Sequence, residues 1–237
     1  MRARVGTPIH KEAQRRVPAD AESTPQHPGA LRALQSRIAA CTLCPSMTPW
    51  RQFRPDVYGA RSTGYLLVGE APGHVSLVKG RRFTGPAGLL IRRALRSVGH
   101  PRYRDLEDLF YMTDVVKCHP AAAANPASNR SPRQTEIRAC SGYLVHEIQV
   151  LQPSAIITFG KTAAAQVTSA LATVSLTPVP RLIAFPHPSP RNQVTIRKHY
   201  ASMQAFERDI AATFRRLIAR LEQSRHGSTW LAAGASR

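Results

Sequence analysis

The sequence predicts an α/β fold in which a parallel β-sheet carries helices on both faces. Four short apolar runs have the length and composition of buried strands, and amphipathic helical patterns lie between them. Strands that alternate with helices form parallel sheets, because the chain must cross back over the sheet before each new strand. We find no internal repeat at a longer period, so the pattern predicts one α/β domain.

The chain begins with a segment unlike the rest. Residues 1–28 are rich in Arg, Pro, Glu and Gln and lack apolar periodicity, which predicts a disordered basic arm. From Gly29 onward, apolar residues spaced three and four apart predict a short helix that leads into Cys41-Thr-Leu-Cys44. We expect residues 29–223 to form the single domain and residues 224–237 to form a flexible tail.

The predicted strands and helices follow from local composition. The first strand breaks into a Gly/Pro-rich loop, and a helix begins after Gly85-Pro86 and ends at Gly99. Later helices are predicted from Ser131-Pro132, over Lys161–Leu171 and from Arg197 to Leu221. The predicted strands are Tyr65–Val68, Leu109–Val116, Ala155–Phe159 and Arg181–Phe185.

The charge of the chain points to a polyanionic partner. The sequence has 33 Lys and Arg residues against 14 Asp and Glu residues, a net charge of +19. Nucleic acid is favoured over an anionic membrane, because no basic amphipathic helix or lipidation signal accompanies the charge. An Arg-rich proteome is the alternative explanation. The sequence lacks a membrane span and a secretory signal, so we expect a cytoplasmic, nucleoid-associated protein.

The four cysteines are candidate metal ligands. In a reducing compartment, cysteines bind metals more often than they form disulfides. Four thiolates suit a zinc ion or an iron–sulfur cluster, and one CxxC pair joined by two distant single cysteines favours the cluster. Four unrelated buried thiols are the remaining alternative. The cysteines are Cys41, Cys44, Cys118 and Cys140.

Candidate catalytic side chains follow three of the predicted strands. Glu70 follows the first strand, Asp114 lies near the end of the second and His187 follows the fourth. Parallel strands end at one edge of the sheet, so these side chains are expected to converge there. Phe83 and three nearby cations suggest a phosphate-bearing ligand with a flat ring. The structural alternatives are a turn cap for Glu70 and a core position for Phe83.

Motifs in one order over most of the chain resemble the iron–sulfur uracil-DNA glycosylases. They are CTLC, VGEAPG, GRRFTGPAG, TDVVKC, NRSP followed by Glu136 and Cys140, ITFG and HPSPRN, and the resemblance covers roughly residues 31–218. GEAPG is closer to the uracil-specific family 4 type, whereas HPSPRN is closer to the family 5 type with a broader base range. The resemblance implies a three-layer αβα fold with a four-stranded parallel sheet, and a [4Fe–4S] cluster on all four cysteines. It also implies a bacterial or archaeal monomeric enzyme that excises a deaminated base, uracil first, from DNA.

The resemblance also implies roles for single residues. Glu70 takes the place of the catalytic acid of the first motif, and His187 that of the histidine of the second motif. Phe83 would stack on the flipped base and Asp114 would bind its edge. The base-binding set is Gly69, Ala71, Phe83, Asp114 and His187, and the DNA-binding set is Arg82, Lys117, Ser189, Arg191 and Asn192.

The chain departs from the family pattern in three ways: it combines motifs of the two types, and Ser76 and Asp114 replace residues that are usual in the family. Ser76 stands where thermophile-type members carry an acid, and Asn129 aligns near a histidine of relatives that trap uracil covalently, so covalent trapping is not expected. Asp114 stands where Asn is usual. A protonated Asp114 could copy Asn and keep uracil as the substrate, with hypoxanthine second. The alternatives are a shifted base range or a non-catalytic nucleic-acid-binding protein with a cluster or zinc.

Overall fold

The computed structural model describes residues 28–50, 55–123 and 125–234. The predicted basic arm therefore lies almost wholly outside the described residues. The strands are β1 Tyr65–Gly69, β2 Tyr111–Asp114, β3 Ala155–Phe159 and β4 Arg181–Phe185. The helices are α1 Pro28–Ala40, α2 His74–Val78, α3 Pro86–Arg96, α4 Leu106–Leu109, α5 Gln134–Leu151, α6 Lys161–Leu171, α7 Gln193–Arg197 and α8 Met203–Gly234.

The strands of the described chain form one parallel sheet in the order β2-β1-β3-β4. β1 lies at the centre, with Gly69 directly beside Asp114 of β2. At the other side of the sheet, Phe159 of β3 pairs with Phe185 of β4. The carboxyl ends of all four strands therefore lie at one edge, as expected for an open α/β sheet.

Successive side chains of the central strands alternate between two buried layers. Leu66 and Ile156 pack with α1, α5 and α6 on one face. Leu67 and Ile157 pack with α3, α4, α7 and α8 on the other face. The sheet is thus covered on both sides, which explains why its strands are continuous apolar runs. The predicted three-layer αβα fold is confirmed.

Several predicted boundaries differ from the structure. The last helix continues to Gly234, so its predicted end at Leu221 is wrong. The flexible tail from residue 224 stays a prediction. β2 is shorter than predicted at both ends, because Leu109 is the last residue of α4 and the strand ends at Asp114. α4 begins with Asp105 as a capping residue. α2 forms inside the predicted Gly/Pro-rich loop. No helix in the described ranges is long and apolar enough to cross a membrane.

Candidate active site

Gly69 brings a carboxylate and an aromatic ring together at the end of β1. A Cβ atom at Gly69 would lie 2.4 Å from Asp114 Oδ1 and 3.3 Å from the Phe83 ring. A side chain there would collide with Asp114, so the close approach requires glycine. The next two residues after Asp114 stay bonded to this turn, because Val115 N–H donates to Gly69 O at 2.9 Å and Val116 N–H donates to Glu70 O at 3.0 Å.

His187 and Glu70 form the second part of the site. His187 follows β4 and packs against Gly160, where an added Cβ would lie 3.4 Å from His187 Cβ. His187 is exposed at the rim and Glu70 is half-buried. Neighbouring protein atoms desolvate the imidazole and lower the pKa of His187, whereas the charge of Glu70 raises it. Because the net shift of the His187 pKa is downward, the neutral imidazole is favoured at neutral pH. A neutral imidazole can donate one N–H.

The loop after β4 is held from within. Asn192 Nδ2 donates to the carbonyl of His187 at 2.8 Å, and a short 3-10 turn spans Pro190–Asn192. Ser189 is half-buried and Arg191 is exposed. Asn192 therefore has a structural role in holding His187. The DNA-binding roles of Ser189, Arg191 and Asn192 stay predictions.

A buried arginine that we did not predict as a site residue holds the Phe83 turn. Phe83 has a left-handed φ of 53°, and a Cβ atom at Gly88 would lie 2.1 Å from the Phe83 carbonyl carbon. Arg92 Nε donates to Phe83 O at 2.9 Å, and Arg92 Nη2 donates to Arg82 O at 2.6 Å. Arg92, which is 1% exposed, thus fixes the backbone on which the aromatic ring stands.

Carboxylates neutralise Arg92 on the side away from Phe83. Asp105 and Glu107 both accept hydrogen bonds from Arg92, and Arg81 also donates to both. Although desolvation raises the pKa of each carboxyl group, arginine hydrogen bonds outweigh it and hold both pKa values at about 2. One sequence pattern could have predicted this network. It is a helix rich in arginine that is followed closely by two acids: Arg92, Arg93 and Arg96, then Asp105 and Glu107.

Two predicted DNA contacts are wrong, because their side chains are buried. Arg82 is 1% exposed, forms an ion pair with Asp114 and lies over the ring of Tyr58 at 4.9 Å. Lys117 is 4% exposed and pairs with Glu147. Its Nζ also donates to Thr113 Oγ1 at 2.8 Å and to the carbonyl of Asp114 at 2.6 Å. Both cations therefore support Asp114 from inside the protein and cannot reach a phosphate.

The departures from the family pattern have structural roles. Ser76 is buried and its Oγ accepts from the backbone N–H of Thr84 at 3.2 Å, so it joins α2 to the turn that follows Phe83. Asn129 Oδ1 accepts from His74 N–H at 2.8 Å at the start of α2. Ala71 is half-buried and packs against the cysteine-containing face of the core. A base-binding role for Ala71 stays a prediction.

The four cysteines line one cavity between the end of α1, the segment after β2 and α5. Its other walls are mostly apolar, and Met47 and Tyr143 belong to them. The backbone N–H of Lys117 donates to Cys140 Sγ at 3.4 Å. Within the described residues, no three His, Cys, Asp or Glu side chains are grouped closely enough to hold one metal ion.

Several known proteins are similar to this chain in sequence. The chain is 37% identical over 134 residues to the type-4 uracil-DNA glycosylase of Pyrobaculum aerophilum, which is 56% of this chain and 62% of that protein. It is 35% identical over 127 residues to the type-4 uracil-DNA glycosylase of Archaeoglobus fulgidus, and the match covers 54% of this chain and 58% of that protein. It is 32% identical over 144 residues to the type-5 uracil-DNA glycosylase of Thermus thermophilus, and the match covers 50% of this chain and 63% of that protein. The chain thus matches about three fifths of the length of these curated relatives.

The family comparison covers the parts that build the site. The model of the uracil DNA glycosylase superfamily matches residues 55–211. That range contains Gly69, Glu70, Phe83, Asp114 and His187, and it begins after Cys41 and Cys44. Because the match spans most of the chain and all four strands of the sheet, the chain belongs to the uracil-DNA glycosylase superfamily.

Proposed function

We propose that the protein is a monofunctional DNA glycosylase that removes a deaminated base, uracil first, and leaves an abasic site. The observation that carries the proposal is the convergence of Glu70, Phe83, Asp114 and His187 at the carboxyl edge of the sheet. The names of the relatives, which are type-4 and type-5 uracil-DNA glycosylases, support the same reaction.

The chemistry of the reaction matches the placement of the two catalytic candidates. Cleavage of an N-glycosidic bond builds positive charge on the sugar and negative charge on the departing base. The N–H of His187 would donate to the base oxygen as its charge grows. The carboxylate of Glu70 would stabilise the sugar cation or orient the attacking water. A base inside a duplex cannot reach these groups, so the nucleotide must rotate out and stack on Phe83.

We propose that the loop after β4 contacts the DNA backbone. Arg191→Ala is expected to weaken DNA binding and to reduce the slope of log K against log salt by about 0.9, because one phosphate contact is lost. Arg181→Ala is the matched control, since Arg181 is also exposed but begins β4, at the opposite edge of the sheet. Fluorescence anisotropy at several salt concentrations measures both variants. Equal effects of the two changes would contradict a specific contact at Arg191.

We also propose that Cys41, Cys44, Cys118 and Cys140 hold a [4Fe–4S] cluster. The shared cavity, its apolar walls and the N–H of Lys117 beside Cys140 fit such a group. When bound, the cluster supplies a rigid cross-link and takes no part in hydrolysis. The four cysteines would tie the end of α1 to α5 and to the segment that follows Asp114.

Cys140→Ser is expected to lower iron content and the free energy of unfolding together, because serine is a poor ligand for iron and Cys140 is buried. Iron analysis, the absorbance of the cluster and urea denaturation measure these changes. Met47→Leu is the control, since Met47 lines the same cavity and the substitution nearly preserves volume. Full iron and full stability in Cys140→Ser would reject the cluster assignment.

A single assay separates the proposed reaction from its alternatives. Purified protein is incubated with an oligonucleotide that contains one uracil, and the products are analysed before and after alkali. Cleavage only after alkali indicates an abasic site and therefore a monofunctional glycosylase. Cleavage without alkali would indicate a nuclease, and binding without base release would indicate a non-catalytic nucleic-acid-binding protein.

A further inference from the structure

The base-binding carboxylate is part of a buried ion pair. Asp114 is 4% exposed and its Oδ2 accepts from Arg82 Nη1, whose side chain is 1% exposed. The other carboxylate oxygen, Oδ1, is directed toward Gly69, where the Phe83 ring also approaches. One oxygen of Asp114 is therefore occupied from inside the protein, and the other faces Gly69, beside the Phe83 ring.

The charged groups around Asp114 come from three segments. Arg82 comes from the turn before α3, Lys117 from the segment after β2, and Glu147 from α5, with the phenol of Tyr58 nearby. Lys117 directs its ammonium group to Glu147 and to the backbone carbonyl of Asp114. Arg82 is therefore the cation bonded to the carboxylate itself. Burial raises the pKa of Asp114, and Arg82 and Lys117 oppose that rise.

We propose that Arg82 is a positioning residue that sets base specificity, because it holds Asp114 as a carboxylate with one oxygen left to accept from the flipped base. The inference rests on the proposed glycosylase function and specifies its substrate class. The alternative drawn from the sequence, a protonated Asp114 that imitates asparagine, does not include the ion pair with Arg82.

The charge state of Asp114 decides which base edges fit. A carboxylate accepts hydrogen bonds and donates none. It can accept from N3–H of uracil or from N1–H of hypoxanthine. The 4-amino group of cytosine could also donate to it, but the unprotonated N3 of cytosine would then place its lone pair beside the same carboxylate. An ionised Asp114 therefore favours lactam bases, which are the deamination products of cytosine and adenine. A protonated carboxyl group could instead donate to cytosine N3 and would weaken this discrimination.

The test compares Arg82→Met with the parent enzyme on oligonucleotides that contain uracil, hypoxanthine or cytosine. The parent should release the two lactam bases, leave cytosine intact, and keep its base preference between pH 6 and 8. In Arg82→Met, the carboxyl group loses its cation and should take up a proton. Uracil release by this variant should therefore change with pH as Asp114 titrates, from the rate set by a protonated carboxyl group at acidic pH to the rate set by a carboxylate at basic pH, whereas the parent shows no such transition. Cytosine release should increase at the acidic end.

Two further variants separate specificity from stability. Asp114→Asn leaves Arg82 buried without its carboxylate, so the double variant Arg82→Met/Asp114→Asn should be more active on uracil than Asp114→Asn alone, with no added pH dependence. If Arg82 serves only the fold, Arg82→Met will lose stability but keep the parent's pH profile and base preference, which overturns the inference. If Arg82→Met does not fold, the carboxyl ¹³C signal of Asp114 is measured by NMR in the parent, and the signal is assigned by its absence in Asp114→Asn. We expect this signal to show an ionised Asp114 from pH 6 to 8. A protonated Asp114 in this range overturns the inference. A parent that releases none of the bases would instead refute the proposed function.

Discussion

Replacement of His187 by alanine is expected to slow base release by about 10²–10³-fold, because the leaving base loses the donor that stabilises its growing charge. DNA binding should change little, since this hydrogen bond strengthens mainly in the transition state. The lowered pKa of His187 agrees with a neutral donor at neutral pH. Single-turnover release of uracil from an oligonucleotide, together with anisotropy measurements of binding, tests both parts.

His199→Ala serves as the control for this experiment. His199 is an exposed histidine after α7, in a sequence position without a strand-end context. Its removal should leave the single-turnover rate within about twofold of the parent, because surface substitutions seldom have large effects. If His187→Ala released uracil as fast as the parent, the donor for the base would have to be another residue.

Arg92→Met is expected to lower the free energy of unfolding by about 3 kcal/mol, at the low end for breaking a buried ion pair. The change leaves the carbonyls of Arg82 and Phe83 without their donor and removes the buried cation beside Asp105 and Glu107. Both carboxylates keep partial solvent contact and bonds to Arg81, which limits the cost. Urea denaturation measures the loss.

The neighbouring arginine provides a matched control. Arg93 has a side chain that is 58% exposed and pairs with Glu207 at 2.9 Å on the surface. Arg93→Met should cost less than about 1 kcal/mol, because exposed ion pairs contribute little. Similar losses for Arg92→Met and Arg93→Met would mean that the buried network does not hold the Phe83 turn.

Most of the sheet could be predicted from sequence because β1, β2 and β3 are buried on both faces. Such strands are short apolar runs, and the prediction for Ala155–Phe159 agrees with the observed β3. β4 is only partly buried, and the prediction for Arg181–Phe185 also agrees with the observed strand. Boundaries failed where local capping decided the structure, as at Asp105, or where a helix end lacked a stop signal. Gly and Pro indicated a loop over residues 72–86, yet His74–Val78 form α2. Asn129 supports the start of this helix by a hydrogen bond that spans 55 residues, which no local pattern contains.

The meeting of functional side chains at one sheet edge was also predictable, since strand ends are visible in the sequence. The partners of those side chains were not. A run of arginines looks like a solvated, phosphate-binding surface, but Arg82 and Arg92 are buried because acids distant in sequence neutralise them. The ion pair between Arg82 and Asp114 is visible only in the folded chain. From the sequence alone, the positive charge of Arg82 indicated a DNA contact.

Three residues lie between Asp114 and Cys118, and their backbone is bonded to the end of β1 on one side and approaches Cys140 on the other. An inserted or deleted residue in this stretch would move either the carboxylate or the sulfur out of place. The described residues of the neighbouring loop, 121–123 and 125–127, are mostly exposed, so changes of length are better tolerated there. The fixed spacing between Asp114 and Cys118 therefore couples the proposed base-recognition position to the proposed cluster position, and neither can shift along the chain without the other.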